Sequence, residues 1–286
     1  MTIRYPEVLN HRSAPQVWKW DERDAILYSL ALGLGNDPLN PRALPFVYEP
    51  TLKAVPTFPT VLAWIAEPTF EQLGVDPVTA LHGEQKIELH HRISFPIKVS
   101  VQGSVVDVFD KGSGRGAIVV TRHEISDLAN GQPVATLTTT CFGRAEGGCG
   151  GSTSPPSPPH TVPNRAPDSS LEVPTRLDLA LLYRLTGDRN PIHAEPAAAL
   201  AAGFDRPILH GLCSFGITCR AILETYVDFD ADRIASHQGR FSSPVLPGQT
   251  LIVEMWRDGN TISFQARIKE SGRLAISNGK CVLRDA

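Results

Sequence analysis

The stretch from Gly187 to His193, with the sequence GDRNPIH, contains two side chains that can transfer protons. Asp188 and His193 stand five positions apart, with Pro191 between them. Because proline cannot continue a helix and biases the residue before it to an extended conformation, we expect a fixed, bent loop. Such a loop can direct a carboxylate and an imidazole to one water molecule, each group contributing roughly 10²–10⁴ in rate. The spacing therefore predicts an acid–base site.

A purely structural interpretation of the same stretch stays open. Asp188 and Asn190 could form only an Asx-type turn, while His193 caps the next helix or packs in the core. The first half of the chain contains a related turn, GNDPLN from Gly35 to Asn40, which has no histidine. A duplicated enzyme that kept one of two sites would show this difference. The comparison favours the acid–base interpretation and predicts one active site per chain.

A second candidate is the glycine of the segment LHGL, Gly211, which begins a long apolar run. A glycine at a helix N-terminus leaves backbone N–H groups approachable, and such a group can stabilise an oxyanion, an effect of about 10²–10³ in rate. The structural alternative is that Gly211 only relieves a close packing contact.

The elements that must position these groups can be predicted from hydrophobic spacing. Leu177, Leu181 and Leu185 repeat at helical spacing until Gly187, and Thr175 with Asp178 resembles a capping pair at the start of that helix. A short alanine-rich helix is predicted from Glu195 to Gly203, and a long buried helix from Gly211 to Val227. Asp188 is thus expected directly after one helix and Gly211 at the start of another.

Alternating segments in both halves predict antiparallel strands separated by hairpin turns. The predicted strands span residues 86–95, 98–109, 116–125 and 133–142 in the first half, and residues 240–242, 250–256, 261–268 and 274–283 in the second. Each half therefore is predicted to be an α+β unit with an antiparallel sheet. The glycine-rich string from Gly112 to Gly116 lies between two predicted strands, which favours a hairpin turn over a phosphate loop.

Composition limits the class of protein and the kinds of partner. The chain has 286 residues, 42% hydrophobic content and a formal net charge of −3, so neither nucleic acid nor an anionic membrane is indicated as a partner. Five scattered cysteines, without a C-x-x-C pair, argue against a disulfide framework or a zinc knuckle and fit a reducing compartment. No apolar run approaches the roughly 20 residues that span a bilayer, and no signal core opens the chain. We expect a soluble, cytoplasmic protein.

The segment from residue 145 to 170 is dense in glycine, serine and proline and is predicted to be a linker. It separates an N-terminal domain, residues 1–144, from a C-terminal domain, residues 171–286. Both halves contain a Leu-Tyr helix followed by a glycine and an Asp/Asn/Pro turn, and both end in a strand-rich tail. Duplication of one domain is the simplest explanation.

The residues from Tyr183 to His193, YRLTGDRNPIH, resemble the hydratase 2 motif of the MaoC-like (R)-specific 2-enoyl-CoA hydratases. The resemblance continues through the small residues 197–199 and the segment RPILHG, residues 206–211. In the first half it includes FVYE at residues 46–49, PTF at 56–58 and LHGEQ at 81–85. Nearly the whole chain outside the linker is therefore similar to this family, which includes the hydratase part of peroxisomal multifunctional enzyme type 2.

The resemblance implies a double hot-dog fold, in which two tandem units each wrap an antiparallel sheet around a long helix. It further implies that the N-terminal unit has lost its catalytic residues and accommodates the acyl chain, while the C-terminal unit is catalytic. The implied activity is reversible (R)-specific hydration of trans-2-enoyl-CoA to (3R)-3-hydroxyacyl-CoA in fatty-acyl-CoA metabolism. The partner is then an acyl-CoA substrate, no metal or redox cofactor is needed, and a homodimer of double hot-dog chains is expected.

The resemblance also assigns residues to roles. Asp188 and His193 would be the catalytic pair, Asn190 would organise the site, and the backbone N–H of Gly211 would polarise the thioester carbonyl. Lys111 would supply the local cation that CoA phosphates need on a protein of net negative charge. The residues assigned to substrate binding are His82, Gly83, Lys111, Arg189, Pro191, Ile192 and Phe241.

Two other functional classes remain open at this point. A hot-dog thioesterase would hydrolyse the acyl-CoA, although the intact GDxNPxH sequence counts against it. A non-catalytic acyl-CoA-binding protein would keep the tunnel, but Asp188 and His193 would then have no purpose.

Overall fold

The computed structural model describes residues 2–77, 80–154 and 158–285, and these contain ten strands. The first half contributes β1 (Gln16–Trp20), β2 (Ala80–Leu89), β3 (Ile97–Asp110), β4 (Ala117–Asp127) and β5 (Pro133–Gly143). The second half contributes β6 (Ser169–Pro174), β7 (Ile234–Phe241), β8 (Thr250–Asp258), β9 (Thr261–Ile268) and β10 (Leu274–Leu283). Six of the eight strands predicted from alternation are confirmed within two residues. The bounds of the other two were wrong: the strand predicted at residues 86–95 is β2, and the one predicted at residues 240–242 is β7, so each begins about six residues earlier. Strands β1 and β6 are additional.

The ten strands form one antiparallel sheet in the order β1-β3-β4-β5-β2-β7-β10-β9-β8-β6. The order within the second half repeats that of the first, reflected about the junction where β2 pairs with β7. Each half is thus the same five-stranded unit, and the predicted α+β class with two tandem antiparallel units is confirmed. The turn from Lys111 to Gly116 joins β3 to β4 as a hairpin, as predicted.

The second unit wraps its strands around helix α5 (Gly211–Tyr226). This helix is apolar on nearly all sides, as expected for a helix inside a core, and Phe215, Cys219 and Ile222 have no exposed surface. Its start at Gly211 agrees with the prediction, and its end lies one residue before the predicted Val227.

The first unit departs from the expectation that each sheet wraps a long helix. Within residues 2–77, the place corresponding to α5 is taken by the 3-10 helix Phe58–Leu62, which packs against β5. Pro59 lies within this helix, and Pro56 and Pro68 flank it, so the chain here can form only a short helical turn. The long helix predicted for the N-terminal unit was wrong, whereas the one predicted for the C-terminal unit is confirmed.

Two helices, one from each unit, pack against each other. They are α1 (Glu22–Ala31) and α3 (Leu179–Tyr183), and the rings of Tyr28 and Tyr183 lie 5.9 Å apart. The remaining helices are α2 (Phe70–Leu73) and α4 (Pro196–Ala201), the latter inside the predicted range 195–203. None of the helices in the described residues is long and apolar enough to cross a membrane.

Helix α3 is shorter than predicted, and the predicted capping pair at its N-terminus does not form. The Thr175 hydroxyl donates to the carbonyl of Gln249 at 2.7 Å, and the Asp178 carboxylate pairs with Arg176, so the predicted capping pair was wrong. A 3-10 turn, Arg184–Thr186, continues the helix to Gly187.

The apolar stripe that predicted this helix faces solvent. The exposed fractions of Leu177, Leu181 and Leu185 are 82%, 54% and 49%. Leu179, Ala180 and Tyr183 are buried instead, because helix α1 covers that face. Helical spacing thus located the helix but not its buried side.

The segment predicted as a linker begins with ordered contacts. The Glu146 carboxylate is buried and accepts the N–H groups of Ala145 and Asp76, and Ser152 forms a bridge with Phe109. Residues 155–157 of this segment lie outside the described residues. The boundaries 1–144, 145–170 and 171–286 stay a prediction.

Candidate active site

In the turn after α3, the two carboxylate oxygens of Asp188 face different groups. Gly187, with φ of 147°, ends the helical turn in a conformation that favours glycine. Oδ1 of Asp188 then accepts the N–H of Asn190 at 3.0 Å, and the Asn190 side chain accepts the N–H of Ile192 at 3.1 Å. The Asx-type turn is therefore real. Oδ2 of Asp188 lies 3.9 Å from Nε2 of His193.

His193 is buried and held by one backbone contact. Its Nδ1 lies 2.8 Å from the carbonyl oxygen of Ile208. Because a carbonyl can only accept, Nδ1 carries the proton and the lone pair of Nε2 points toward Asp188. Burial lowers the pKa of His193 and outweighs the Ile208 carbonyl and the Asp188 carboxylate, which raise it. The ring is therefore a neutral base at pH 7.

His210 contacts both members of the pair, and no role was predicted for it. Its Nε2 lies 3.1 Å from the backbone carbonyl of Asp188, so Nε2 carries the proton and donates. Its ring stacks on that of His193 with centroids 3.6 Å apart and an interplanar angle of 23°. Burial, followed by the neighbouring His193, lowers the pKa of His210 to about 3, so this ring is also neutral. The signal that could have found it is its position directly before Gly211.

The start of α5 brings three of the predicted residues together. Gly211 is the first residue of the helix, where backbone N–H groups have no acceptor within the helix. A Cβ atom at Gly211 would lie 3.0 Å from the Phe241 ring, so the ring covers this backbone closely. Phe241 lies in turn 4.3 Å from the ring of His82. Gly211, Phe241 and His82 therefore form one continuous cluster at the junction of the two units.

The other predicted binding residues lie at varied distances from this cluster. Gly83 sits at the irregularity of β2 next to His82, where a Cβ atom would meet the Thr140 hydroxyl at 2.6 Å. The Lys111 ammonium lies 4.9 Å above the Phe142 ring, and Phe142 pairs with Leu81 in the sheet. Lys111 thus stands near the same end of β2 as His82, and none of its described contacts joins it to Asp188.

The central residues of the GDRNPIH turn are the most accessible part of the site. Arg189, Asn190 and Pro191 are exposed, and Ile192 is half-buried. Asn190 reaches Asp188 through its backbone N–H and supports the turn through its side chain. Its position agrees with the organising role that the resemblance implies.

The related turn of the first half contains two similar side-chain-to-backbone hydrogen bonds, with a different spacing, and no histidine. Oδ1 of Asp37 accepts the N–H of Leu39, and the Asn40 side chain accepts the N–H of Arg42, both at 3.0 Å. Counted from the shared glycine, Gly35 or Gly187, the position of Asp188 is taken by Asn36 and that of His193 by Pro41. The turn is therefore common to both halves, and the acid–base pair belongs to the second.

Asp188, His193 and His210 also have a spacing that a metal site could use. Their potential ligand atoms all lie within 4.8 Å of one another. A metal binds an imidazole nitrogen in the plane of the ring at roughly 2.0–2.1 Å. The two rings are stacked with centroids 3.6 Å apart and planes inclined by 23°, so their in-plane lone pairs do not converge on one point. This donor set fits a metal ion poorly.

Two family descriptions match the chain. Residues 159–278 match the MaoC like domain, and residues 18–145 match the MFE-2 hydratase 2 N-terminal domain. The first range contains the Asp188 turn and Gly211, and the second contains His82 and Lys111.

Relatives and solved structures agree with these matches. An enoyl-CoA hydratase of Mycobacterium tuberculosis is 37% identical over 271 residues, covering 92% of this chain and 92% of that protein. The crystal structure of a MaoC-like dehydratase from Phytophthora capsici is 31% identical with a TM-score of 0.88, covering 99% and 100% of the two chains. A Mycobacterium tuberculosis protein with a double hotdog fold is 12% identical with a TM-score of 0.56, covering 95% and 96%. The last similarity concerns the fold alone, and the predicted double hot-dog architecture is confirmed.

Proposed function

The chain belongs to the MaoC-like dehydratase family, and we propose that it is an enoyl-CoA hydratase 2, acting as a hydro-lyase on acyl-CoA thioesters in fatty acid metabolism. The reaction is the reversible addition of water to trans-2-enoyl-CoA, giving (3R)-3-hydroxyacyl-CoA. The observation that carries this proposal is the position of Asp188 Oδ2, which lies 3.9 Å from Nε2 of the neutral His193 ring.

The pair is suited to hold one water molecule. A separation of 3.9 Å is too long for a direct hydrogen bond, and a water beside the pair reaches both atoms. The water oxygen attacks C3 of the enoyl thioester as Nε2 of His193 takes one of its protons. Asp188 orients the water and stabilises the imidazolium that forms. The proton is then returned to C2, so that H and OH are both added to the double bond.

Negative charge develops on the thioester oxygen during the attack. The N–H of Gly211, at the start of α5, is the group we assign to that oxygen, and the 16-residue helix places its positive end there. His210 acts behind the pair: it donates to the backbone of Asp188 and stacks on His193. Asn190 supports the same turn. These are the roles we propose for the residues that do not exchange protons with substrate.

We assign the binding of the thioester to the groups around β2 and the turn. His82, Gly83 and Phe241 line the entrance to Gly211, and Arg189, Pro191 and Ile192 form its outer edge. Lys111 supplies the cation for a CoA phosphate. A local cation is needed because the net charge of −3 does not attract an anionic ligand. The acyl chain is accommodated by the first unit.

We further propose that neither a metal nor a redox cofactor takes part. The poor convergence of the stacked His193 and His210 rings supports the first point. Hydration of an enoyl thioester leaves the oxidation state of the substrate unchanged overall, which supports the second.

The fate of the thioester separates hydration from the two alternatives. Purified protein is incubated with a trans-2-enoyl-CoA while enoyl absorbance and free thiol are followed together. Loss of absorbance without thiol release, and a product of (3R) configuration, is the result we expect. Thiol release would indicate a thioesterase, and constant absorbance with tight binding would indicate a binding protein.

A cytoplasmic location and a homodimer complete the proposal. All five cysteines are free thiols, which supports a reducing compartment. The homodimer rests on the resemblance to hot-dog proteins. Fluorescent tagging in the source cell tests the cytoplasmic location, and sedimentation equilibrium tests the homodimer.

A further inference from the structure

Trp64 of the first unit contacts a residue of the binding site through a directed hydrogen bond. Its indole Nε1–H donates to Nδ1 of His82 at 2.8 Å, and the two rings meet edge to face with centroids 4.6 Å apart. On its other side the indole stacks on Phe70 at 5.0 Å with an interplanar angle of 23°. Trp64 is therefore fixed by two partners, and one of them is His82.

This hydrogen bond determines which nitrogen of His82 carries the proton. An indole N–H can only donate, so Nδ1 of His82 is the acceptor and the proton sits on Nε2. Burial lowers the pKa of His82 to about 3, and the ring is neutral at pH 7. The Nε2 atom is buried and makes no hydrogen bond of normal geometry within the described residues, although the Gln85 side chain and the Glu84 backbone lie close enough to the ring to raise its pKa against the effect of burial. A buried donor without a partner is costly, and a ligand that supplies an acceptor removes the cost.

The short segment that carries Trp64 also touches the catalytic turn. A Cβ atom at Gly187, next to Asp188, would lie 3.0 Å from Cδ1 of Ile65. On the other side, His82 packs on Phe241, which covers Gly211. Trp64 and Ile65 thus connect the non-catalytic unit to both sides of the site.

We propose that Trp64 is a positioning residue for substrate binding. It holds His82 as an Nε2–H donor, and that donor binds an amide carbonyl oxygen in the pantetheine arm of the acyl-CoA. The inference rests on the proposed function. Since the thioester oxygen is assigned to Gly211, the amides are the remaining carbonyl acceptors of the arm. Phe241 is the neighbour that must move aside for the amide to reach Nε2.

The substitution Trp64→Phe removes the N–H and keeps an aromatic ring between Phe70 and His82. Protein with 15N-labelled histidine reports the tautomer of His82, whose signals are identified by their loss in His82→Gln. We expect the Nε2–H form in the unaltered protein and a mixture of both neutral forms in Trp64→Phe. The KM for trans-2-enoyl-CoA should rise about 5- to 10-fold, the effect of one hydrogen bond, with kcat nearly unchanged.

A double variant distinguishes action through His82 from a general structural effect. Glutamine at position 82 keeps an N–H donor that has no tautomer, so Trp64→Phe should not raise KM further in the His82→Gln background. Trp18→Phe is the matched control, because the buried Nε1 of Trp18 has no hydrogen-bond partner in the described residues. It should change neither the His82 spectrum nor KM.

The possible failures are separable. If the unaltered protein does not hydrate enoyl-CoA, the proposed function is wrong. If it does, while Trp64→Phe leaves the His82 tautomer and KM unchanged, the role of Trp64 is overturned. A Trp64→Phe effect on KM that persists fully in the His82→Gln background, or one that falls on kcat alone, would overturn it as well.

Discussion

Oδ2 of Asp188 lies 3.9 Å from Nε2 of His193, while Oδ1 of the same carboxylate accepts the N–H of Asn190 at 3.0 Å. One oxygen thus fixes the turn and the other faces the base. The Asx-type turn of the structural interpretation is therefore present, and it supplies the geometry that the proposed acid–base pair requires. The first unit has a related turn at Asp37, and its segment from Gly35 to Asn40 contains no histidine.

The activity should depend on the protonation of His193. Burial lowers its pKa below the ordinary value of 6.5, and Nε2 accepts a proton only when the ring is neutral. We therefore expect kcat/KM to be lost as the pH falls through a value below 6.5, and to be retained above it. A pH profile of enoyl-CoA hydration measures this limb. A limb at or above pH 6.5 would contradict the assignment.

His210 should matter through the position of Asp188. His210→Phe keeps a ring that can stack on His193 and removes the Nε2–H donor, which leaves the Asp188 carbonyl unpaired. We expect kcat to fall about 10-fold, with less loss in His210→Gln, because the amide retains a donor. The exposed His91→Phe serves as the control. Equal kcat values for the Phe variant and the unaltered protein would show that the contact is unimportant.

Gly211 is needed for space as well as for its N–H. In Gly211→Ala the new Cβ would lie 3.0 Å from Cδ1 and Cε1 of Phe241, so this ring must shift. The backbone N–H remains, but the shifted Phe241 ring displaces the bound thioester. We expect kcat/KM to decrease about 10-fold, because a small misplacement of a reacting group lowers the rate strongly. Adding Phe241→Leu should restore part of the loss. Steady-state kinetics of the single and double variants test this, and no recovery would indicate another cause.

Removal of metal ions should leave the reaction unchanged. The stacked rings of His193 and His210 do not direct their lone pairs to one point, although the three potential ligands lie close together. Dialysis against a strong chelator, followed by the hydration assay, should give the original kcat. A loss that Zn²⁺ restores would mean that the three residues hold a catalytic ion.

Most strands and the approach of Asp188 to His193 were accessible from the sequence because each depends on local pattern. Alternation located six strands within two residues and overlapped the ends of β2 and β7, and Pro191 indicated the bend at Asp188. The buried face of α3 was not accessible, since helix packing placed Leu179 and Tyr183 inward and left Leu177 exposed. The edge strands β1 and β6 alternate in burial but span only five and six residues, which is too short for the alternation to stand out in the sequence.

Contacts between the two units could not be derived from residue patterns. The cluster of His82, Phe241 and Gly211 joins parts of the chain that are more than a hundred positions apart, and it depends on the pairing of β2 with β7. The resemblance named these three residues, and the structure brought them together. Neither residue patterns nor resemblance indicated Trp64 or the role of His210, because each acts through another side chain.

The central claim is that Asp188 and His193 act as one unit on a single water molecule. Asp188→Asn and His193→Gln are each expected to reduce the rate of enoyl-CoA hydration at least about 100-fold with the fold intact, while the exposed control Asp205→Asn has no effect. The decisive measurement is the rate of the double variant. Residues that act as a unit give non-additive losses. We therefore predict that the hydration rate of the double variant is within about 10-fold of the rate of the slower single variant. Losses that multiply, or a single variant with near-normal turnover, would contradict the account.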